Sequence, residues 1–459
     1  MAIELRPHQK EALAKLKKSQ SLLLYHGLGS GKTLSSIFGA DNKTTVVVPA
    51  SLRTNYEKEV VKAGRNPKKF KVMSYEGFNK KQPKTDSIVF DEVHRLGNSS
   101  SVRTQKALKV IDRFKRKILL TGTPAKNHPY ELAPILRLLN PKAKGVIPLN
   151  TTDFNNKFIE TKVTPISFYD KWIKGLTPGE VHSIKNKDIL REIIKGRVHY
   201  HANSDKGFPS VIEHTEKVDM SDSQRDIYNT VTNNANVLVA AKVRSGLPPN
   251  KKDLRSLNAF MNAARIVSNN PKAYGGTEIS NKVRKVISNL KRFRKQDIKH
   301  KAVIYSNYIE GGLEPIIELL KENKIPYNKF TGGLSDKQRR LIVEQYNNGT
   351  VPNLLISGAG AEGLDLKRTN SMHLLEPHWN EQRMDQVKGR SVRYQSHLGL
   401  PKDKQKVDIY NYQSVLPKTY WEKLTNSKKA VSADEYLTTL ASDKQKLLNS
   451  FLDILKENK

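Results

Sequence analysis

The chain has no cysteine in 459 residues, which excludes disulfides, thiolate zinc sites, cysteine-based zinc fingers and thiol nucleophiles. It carries no apolar run near the roughly 20 residues that cross a bilayer, and its opening residues lack an apolar signal segment. A soluble, intracellular, non-secreted protein with no membrane partner is the expectation. Carboxylates are in short supply: 45 Asp and Glu face 80 Lys and Arg, for a formal charge of +35 spread along the whole length. Such a charge recruits a polyanion through phosphate contacts and counterion release. The length allows two or three domains with separate cores.

The most informative stretch is His26-Gly27-Leu28-Gly29-Ser30-Gly31-Lys32-Thr33, after the apolar run Leu22-Leu23-Leu24-Tyr25 and before Leu34-Ser35-Ser36-Ile37. Strand, glycine turn and helix in that order make a phosphate cradle, with backbone N–H groups and a helix N-terminus facing the anion. Gly29, Ser30 and Gly31 form the turn, where a Cβ on either glycine would hold the backbone off the phosphates. Lys32 reaches the outer phosphates and Thr33 offers its hydroxyl to Mg²⁺, so ATP with Mg²⁺ is the expected ligand. One position departs from the general pattern: His26 stands where a glycine is usual. Upstream, Leu5-Arg6-Pro7-His8-Gln9 opens a helix through Ala12, Leu13 and Leu16, and Gln9 can hydrogen-bond the edge of adenine.

Short β-rich runs separated by polar helices follow, the rhythm of a parallel α/β sheet. Thr45 to Val48 and Phe70 to Tyr75 read as strands, and ligands gather beyond the carboxyl ends of such strands. Ser51, Arg53, Ser74 and Tyr75 are therefore candidate nucleic-acid contacts. The run Ser87 to Phe90 delivers two adjacent carboxylates to its end. Asp91 can hold Mg²⁺, while Glu92 can polarise the water that attacks the γ-phosphate. A third strand, Ile118 to Leu120, ends in Thr121-Gly122-Thr123-Pro124, whose hydroxyls can report the phosphate state or bond their own turn.

Between 142 and 283 the rhythm stops, and mostly helical insertions are expected, with Lys242 to Arg255 as a mobile basic loop. Asn281 to Phe293 forms an amphipathic helix through Val283, Val286, Ile287 and Leu290, with a basic opposite face. Strands resume at Ala302 to Ser306, at Tyr327 to Phe330 leading to Thr331, and at Asn353 to Ser357. Glycine crowding at 358–363 permits close backbone approach to a sugar-phosphate chain or a neighbouring domain. Arg390 and Arg393, three apart, share a helical face, and a guanidinium from a second domain can stabilise charge on a transferring phosphoryl group. Ala430 to Lys459 reads as a helical tail, either packed back or bound to a partner.

In order, Leu5 to Gln9, the cradle, Asp91-Glu92-Val93-His94, Thr121 to Pro124, Ser357 to Leu366, Trp379-Asn380 and Gln386 to Arg393 resemble the motifs of superfamily 2 helicases and translocases. Met220 to Tyr228 and Ala264 to Pro271 resemble signatures of its Swi/Snf-type branch. Ser391 to Pro401 and Val431 to Leu437 are similar to the early-transcription and termination ATPases of large nucleocytoplasmic DNA viruses, the poxvirus nucleoside triphosphate phosphohydrolase among them. The resemblance implies an α/β fold of two RecA-like parallel-sheet domains in tandem with mostly helical insertions between them. The first domain would span 1–141, the insertions and linker 142–283, the second domain 284–425 and the tail 426–459. It further implies Gly363, Asp365 and Gln386 at the nucleotide, and Ser306, Thr331, Ser357 and Trp379 along the nucleic acid. The function it implies is a monomeric DNA-dependent ATPase motor on mainly duplex DNA, with a transcription complex as a candidate partner and, if viral, residence in host cytoplasm or virion. The residues alone leave open a strand-separating DNA or RNA helicase and a non-catalytic basic nucleic-acid-binding protein.

Overall fold

The computed structural model of the protein describes residues 4–27, 30–41, 43–81, 84–167, 170–171, 174–202, 207–358, 364–379, 381–427 and 429–457, without the side chains of 254, 255, 336, 381–383, 386 and 421. The chain divides into two compact units, 1–161 with 182–204 and 444–459, and 162–181 with 205–443.

The first unit's sheet is built from β1 (Ser21–His26), β2 (Thr44–Val48), β3 (Phe70–Ser74), β4 (Ser87–Phe90), β5 (Arg116–Thr121) and β8 (Val198–His201), and a separate two-stranded ribbon, β6 (Ile159–Val163) and β7 (Glu180–Ile184), straddles the division at 161 and 182. The sheet runs β3-β2-β4-β5-β1-β8, and every pair in it is parallel. Helices cover both faces, so the strands are continuous apolar runs, and every residue of β1, β2 and β4 is buried. Alternation sorts them: Leu22, Leu24, Val46, Val48, Ile118 and Leu120 meet Ala12, Leu16 and Ile37 on one face. Leu23, Val47, Ile88, Phe90 and Leu119 point into the other core.

The second unit repeats the plan with β9 (Ser210–Asp219), β10 (Ala302–Ser306), β11 (Tyr327–Phe330), β12 (Asn353–Ser357), β13 (Ser371–Leu374) and β14 (Lys406–Val415). Its sheet runs β11-β12-β10-β13-β14-β9, again parallel throughout.

The region expected to be mostly helical thus supplies an edge strand to each sheet. β9 pairs with β14 from Ser210 opposite Lys406 to Asp219 opposite Val415, yet none of its residues is fully buried. An edge strand keeps one side in water, so Glu213, Glu216 and Lys217 stand where a central strand would carry valines. Residues 182–204 thus belong with the first unit and 205–443 with the second, and the end of the tail, 444–459, groups with the first.

The basic loop is also corrected. Val237–Arg244 is a helix, and Lys242 is 4% exposed with Nζ 2.6 Å from Asp253. The neighbouring Val239, Ala240 and Val243 pack with Tyr228, Tyr436 and Leu437, which draws the lysine stem inside and fixes its head on the carboxylate. The tail is packed rather than free. Within the helix Ala433–Lys456, Tyr436 and Leu437 join that second-unit cluster, and Leu448, Phe451 and Leu455 join the first-unit core.

One fully buried ion pair pins the start of that helix in the second unit. Lys282 and Asp434 are both 0% exposed at 2.8 Å, and Asp434 also accepts the Ser414 N–H at 2.9 Å. Removing one member of such a pair strands the other without solvent. Lys282→Met is expected to lose about 3–5 kcal/mol of stability in urea unfolding, with Lys282→Met/Asp434→Leu recovering most of it. A single variant as stable as the parent would contradict this.

Candidate nucleotide site

Strand β1 is so apolar that it runs through the core and emerges at His26, from which the cradle turns into the helix Lys32–Gly39. Gly31 sits at φ 76°, a conformation that favours glycine, and a Cβ there would meet Gln9 Nε2 at 2.6 Å, so the Gln9 amide would have to shift. Gln9 is 2% exposed; its Oε1 accepts the Arg6 N–H at 2.8 Å and its Nε2 donates to the Gly31 carbonyl at 3.2 Å. The amide thus braces the turn from the first helix. Ser30 Oγ donates to the Gly27 carbonyl at 2.8 Å, and the Lys32 ammonium donates to the carbonyls of His26 at 2.9 Å and Gly27 at 3.0 Å. Burial lowers the Lys32 pKa, opposed by the charges of Glu92 and Asp91.

The departure at His26 has a structural explanation. Lys32 uses its backbone carbonyl, which any residue supplies, while the side chain is fully buried and lies 2.7 Å from Nδ1 of His199 on β8. His8 stacks on His201 at 3.7 Å between ring centroids and has Nε2 2.9 Å from the Ser30 carbonyl. The pattern Val198-His199-Tyr200-His201 puts two histidines on one face of an edge strand, the one signal by which this packing behind the cradle could have been found.

The parallel order β4-β5-β1 brings Asp91, Thr121 and the cradle to the same edge of the sheet. Asp91 is 8% exposed, and its Oδ1 accepts the Glu92 N–H at 3.0 Å. Burial, with Glu92 beside it, pushes its pKa up to about 6, against the pull of that hydrogen bond and of Lys32. Glu92 adopts φ 52°, a left-handed conformation costly for a residue with a Cβ and typical of functional turns. Burial would raise its pKa, but the hydrogen bond and charge of His94, with Lys32 and Lys126, hold it below the usual range. His94 Nδ1 lies 3.2 Å from Glu92 Oε2 and 3.1 Å from Thr121 Oγ1, and Thr121 Oγ1 accepts the Thr123 N–H at 3.0 Å. A line of polar contacts therefore runs from the carboxylate pair to the end of β5. Tyr75 supports it from beneath, its hydroxyl donating to the Asp91 carbonyl at 2.6 Å.

These groups suit a nucleoside triphosphate with a divalent cation. The cradle and ammonium fit phosphate oxygens, and the buried Asp91 carboxyl, its charge disfavoured by its surroundings, gains most from a cation. Thr33 and Asp91 are the residues that would hold Mg²⁺.

Residues 79–273 match the SNF2-related domain and residues 281–395 the helicase conserved C-terminal domain. A protein of Acanthamoeba polyphaga mimivirus, named as an ATP-dependent RNA helicase, is 31% identical over 99% of this chain and 97% of its own. The chain belongs to the SNF2-related helicases. The termination factor NPH-I homolog of African swine fever virus is 23% identical over 96% of this chain and 76% of its own. The DNA repair and recombination protein RAD54 of Oryza sativa subsp. japonica is 25% identical over 92% of this chain and half, 50%, of its own. As an SNF2-related helicase the protein is an ATP hydrolase that acts on nucleic acid.

The remaining expected site residues of this SNF2-related helicase fall into distinct settings. In the second unit Arg390 is half-buried at the end of the helix Glu381–Ser391, but Arg393 lies beyond it. The shared helical face is therefore corrected: the chain turns at 393, where Arg393 N–H bonds Ser396 Oγ at 3.3 Å. Arg393 Nη1 lies 3.5 Å from the exposed Asp365. Gly29 and Gly363, and the side chain of Gln386, lie outside the described residues. Among the expected nucleic-acid contacts, Ser51 and Arg53 are exposed, and Ser74 and Thr331 are half-exposed. Ser74 Oγ is engaged as a helix cap, accepting the Gly77 N–H at 3.0 Å. Trp379 packs against the cluster of Tyr228 and Phe260. Three are corrected as interior: Tyr75 is 1%, Ser306 0% and Ser357 2% exposed. Strand-end position nominated them, but Tyr75 is spent on Asp91 and Ser306 Oγ donates to the buried Glu376 at 3.0 Å.

Burial holds the His26 pKa down at about 2, helped by repulsion from His199, His8, His201 and Lys32. The native state keeps this imidazole neutral, whereas the unfolded chain protonates it below about 6.5, so its contribution is present above that pH and is lost as pH falls. At pH 5 the loss is about 2 kcal/mol. Urea midpoints at pH 7.5 and 5.0 should show a smaller acid-induced drop in His26→Gln than in the parent, and equal drops would contradict the buried neutral assignment.

Proposed function

We propose that the protein is a DNA-stimulated ATPase motor that translocates on duplex DNA. The observation that carries the reading is the hydrogen-bonded line from Glu92 through His94 to Thr121, beside Asp91 and the Lys32 ammonium. A merely structural nucleotide site has no need of a carboxylate held by a histidine in a left-handed turn beside the cradle. Lys32 and the cradle orient the triphosphate, and Glu92 accepts a proton from the attacking water. Thr33 and Asp91 would hold Mg²⁺, which would supply neutralisation of charge on the phosphate oxygens. Gln9 reads adenine once it exchanges the Gly31 carbonyl for the base. Arg390 and Arg393 stabilise charge on the transferring phosphoryl group.

The formal charge of +35 suits phosphate-backbone contacts on either nucleic acid, and duplex DNA is favoured as the track by the relative named as a DNA repair and recombination protein. The relative named as a termination factor homolog supports a place in viral transcription, with a transcription complex as partner. A second reading, RNA as the track, is favoured by the name of the mimivirus relative.

ATP turnover with duplex DNA, single-stranded DNA and RNA separates the two. The first reading predicts the largest stimulation by duplex, and stimulation by RNA alone would replace it with the second. With duplex present, Lys32→Ala and Glu92→Gln are expected to lose about 10²-fold or more in kcat, and Arg393→Ala about 10³-fold while still binding ATP. Full DNA-stimulated turnover in Glu92→Gln would overturn its role.

A further inference from the structure

The helix Asn281–Gln296 carries a basic face that the nucleotide chemistry does not use. Arg284, Ser288, Lys291 and Lys295 follow the i, i+4, i+7, i+11 spacing of a single helical stripe, and all four are exposed. They line one wall of a groove of roughly 770 Å³ within the second unit, whose far wall includes Glu322, the last residue of the helix Glu314–Glu322, and Asn323 after it. Arg292 adds a further cation, over the Phe293 ring at 4.9 Å. Among the described residues neither Lys291 nor Lys295 forms an ion pair, and Arg284 is engaged only with the Ile279 carbonyl at 3.3 Å. Four cations therefore face one carboxylate.

The buried side of the same helix explains why this stripe is held in place. Val283, Val286, Ile287 and Leu290 are at most 4% exposed, packed into the sheet core, and the buried Lys282–Asp434 pair locks the first turn. The charges stand on a rigid rail rather than on a loop.

We propose that this groove is a second nucleic-acid site, which takes the phosphate backbone of a duplex without reading its sequence. It goes beyond the ATPase reading and does not rest on it. From Arg284 to Lys295 the stripe is roughly 16 Å long, and a duplex presents about one phosphate charge per 1.7 Å of axis. The cations therefore meet phosphates in any register. The groove offers no exposed aromatic ring on which an unpaired base could stack, the feature that single-strand tracks use. Nor does it offer an apolar anchor of the kind that seats a protein partner, since Ile287 and Leu319 on its floor are 4% and 6% exposed. Charge along a rigid helix, with a hydroxyl between the cations, suits the duplex backbone best.

The absence of cysteine from the chain makes the test direct, because Ser288→Cys creates the protein's only thiol. With a photo-crosslinker on that thiol, the full chain is expected to label a random-sequence duplex, with equal yield within about twofold with and without nucleotide. Neutralising the stripe in the same background, Arg284→Gln/Lys291→Gln/Lys295→Gln, should reduce labelling at least fivefold. It should also make the dependence of log K on log salt for duplex binding shallower by about 2–3, close to 0.9 per lost phosphate contact. DNA-stimulated ATP turnover at saturating duplex should stay within twofold, so failure of the motor reading is seen separately, as absent turnover in the parent. Labelling that survives neutralisation, an unchanged salt slope, or stronger labelling of single strands or of an acidic polypeptide at matched charge would overturn the proposal.

Discussion

A half-buried ammonium sets the design of the first unit. Lys32 is placed where burial works against its charge, and what keeps it there is a pair of backbone carbonyls at 2.9 and 3.0 Å with two carboxylates nearby. A buried cation lacking such partners is costly by several kcal/mol, so the surroundings have to be built before the lysine can be tolerated. They are built by topology. Because β1, β4 and β5 run parallel, their carboxyl ends gather at one edge, and that edge receives the cradle, Asp91-Glu92 and Thr121. A phosphate entering the cradle exchanges carbonyl dipoles for full negative charge, the stronger partner for an ammonium in a poorly solvated place.

Glu92 is the second constraint. Its backbone is held at φ 52°, and His94 bridges its carboxylate to Thr121. Strain of this kind survives only where neighbours determine the conformation. Here they do so on three sides, through the Asp91 hydrogen bond, the His94 ring and the Tyr75 hydroxyl under the Asp91 carbonyl. The same contacts that aim the carboxylate connect it to the end of β5. A change at the phosphate end of the site thus has a physical route to the turn Gly122-Thr123-Pro124.

Much of this was legible in the amino-acid order, for a physical reason: central strands of a parallel sheet are apolar on both faces and stand out, as Leu22-Leu23-Leu24 and Val46-Val47-Val48 do. The cradle and the carboxylate pair were legible because their chemistry permits few substitutes. Edge strands were not. β9 reads as a polar segment because water bathes one of its sides, and its strand character comes from ten residues of pairing to β14, which no local pattern reveals. The burial of Lys242 was hidden for the converse reason, since its partner Asp253 lies eleven residues on, across a turn. Tyr75 and Ser306 show the limit of strand-end reasoning. Position at the carboxyl end of a strand is shared by residues that face ligand and residues that brace the ones that do, and only side-chain direction separates them.

Lys32 and its surroundings suit phosphate rather than the nucleoside. Calorimetric titration of the full chain with ATP and with adenosine, at fixed Mg²⁺, tests it most directly. The arrangement predicts that ATP binds at least about 10²-fold tighter than adenosine, the scale of two charge-assisted contacts. Equal affinities for the two would contradict it.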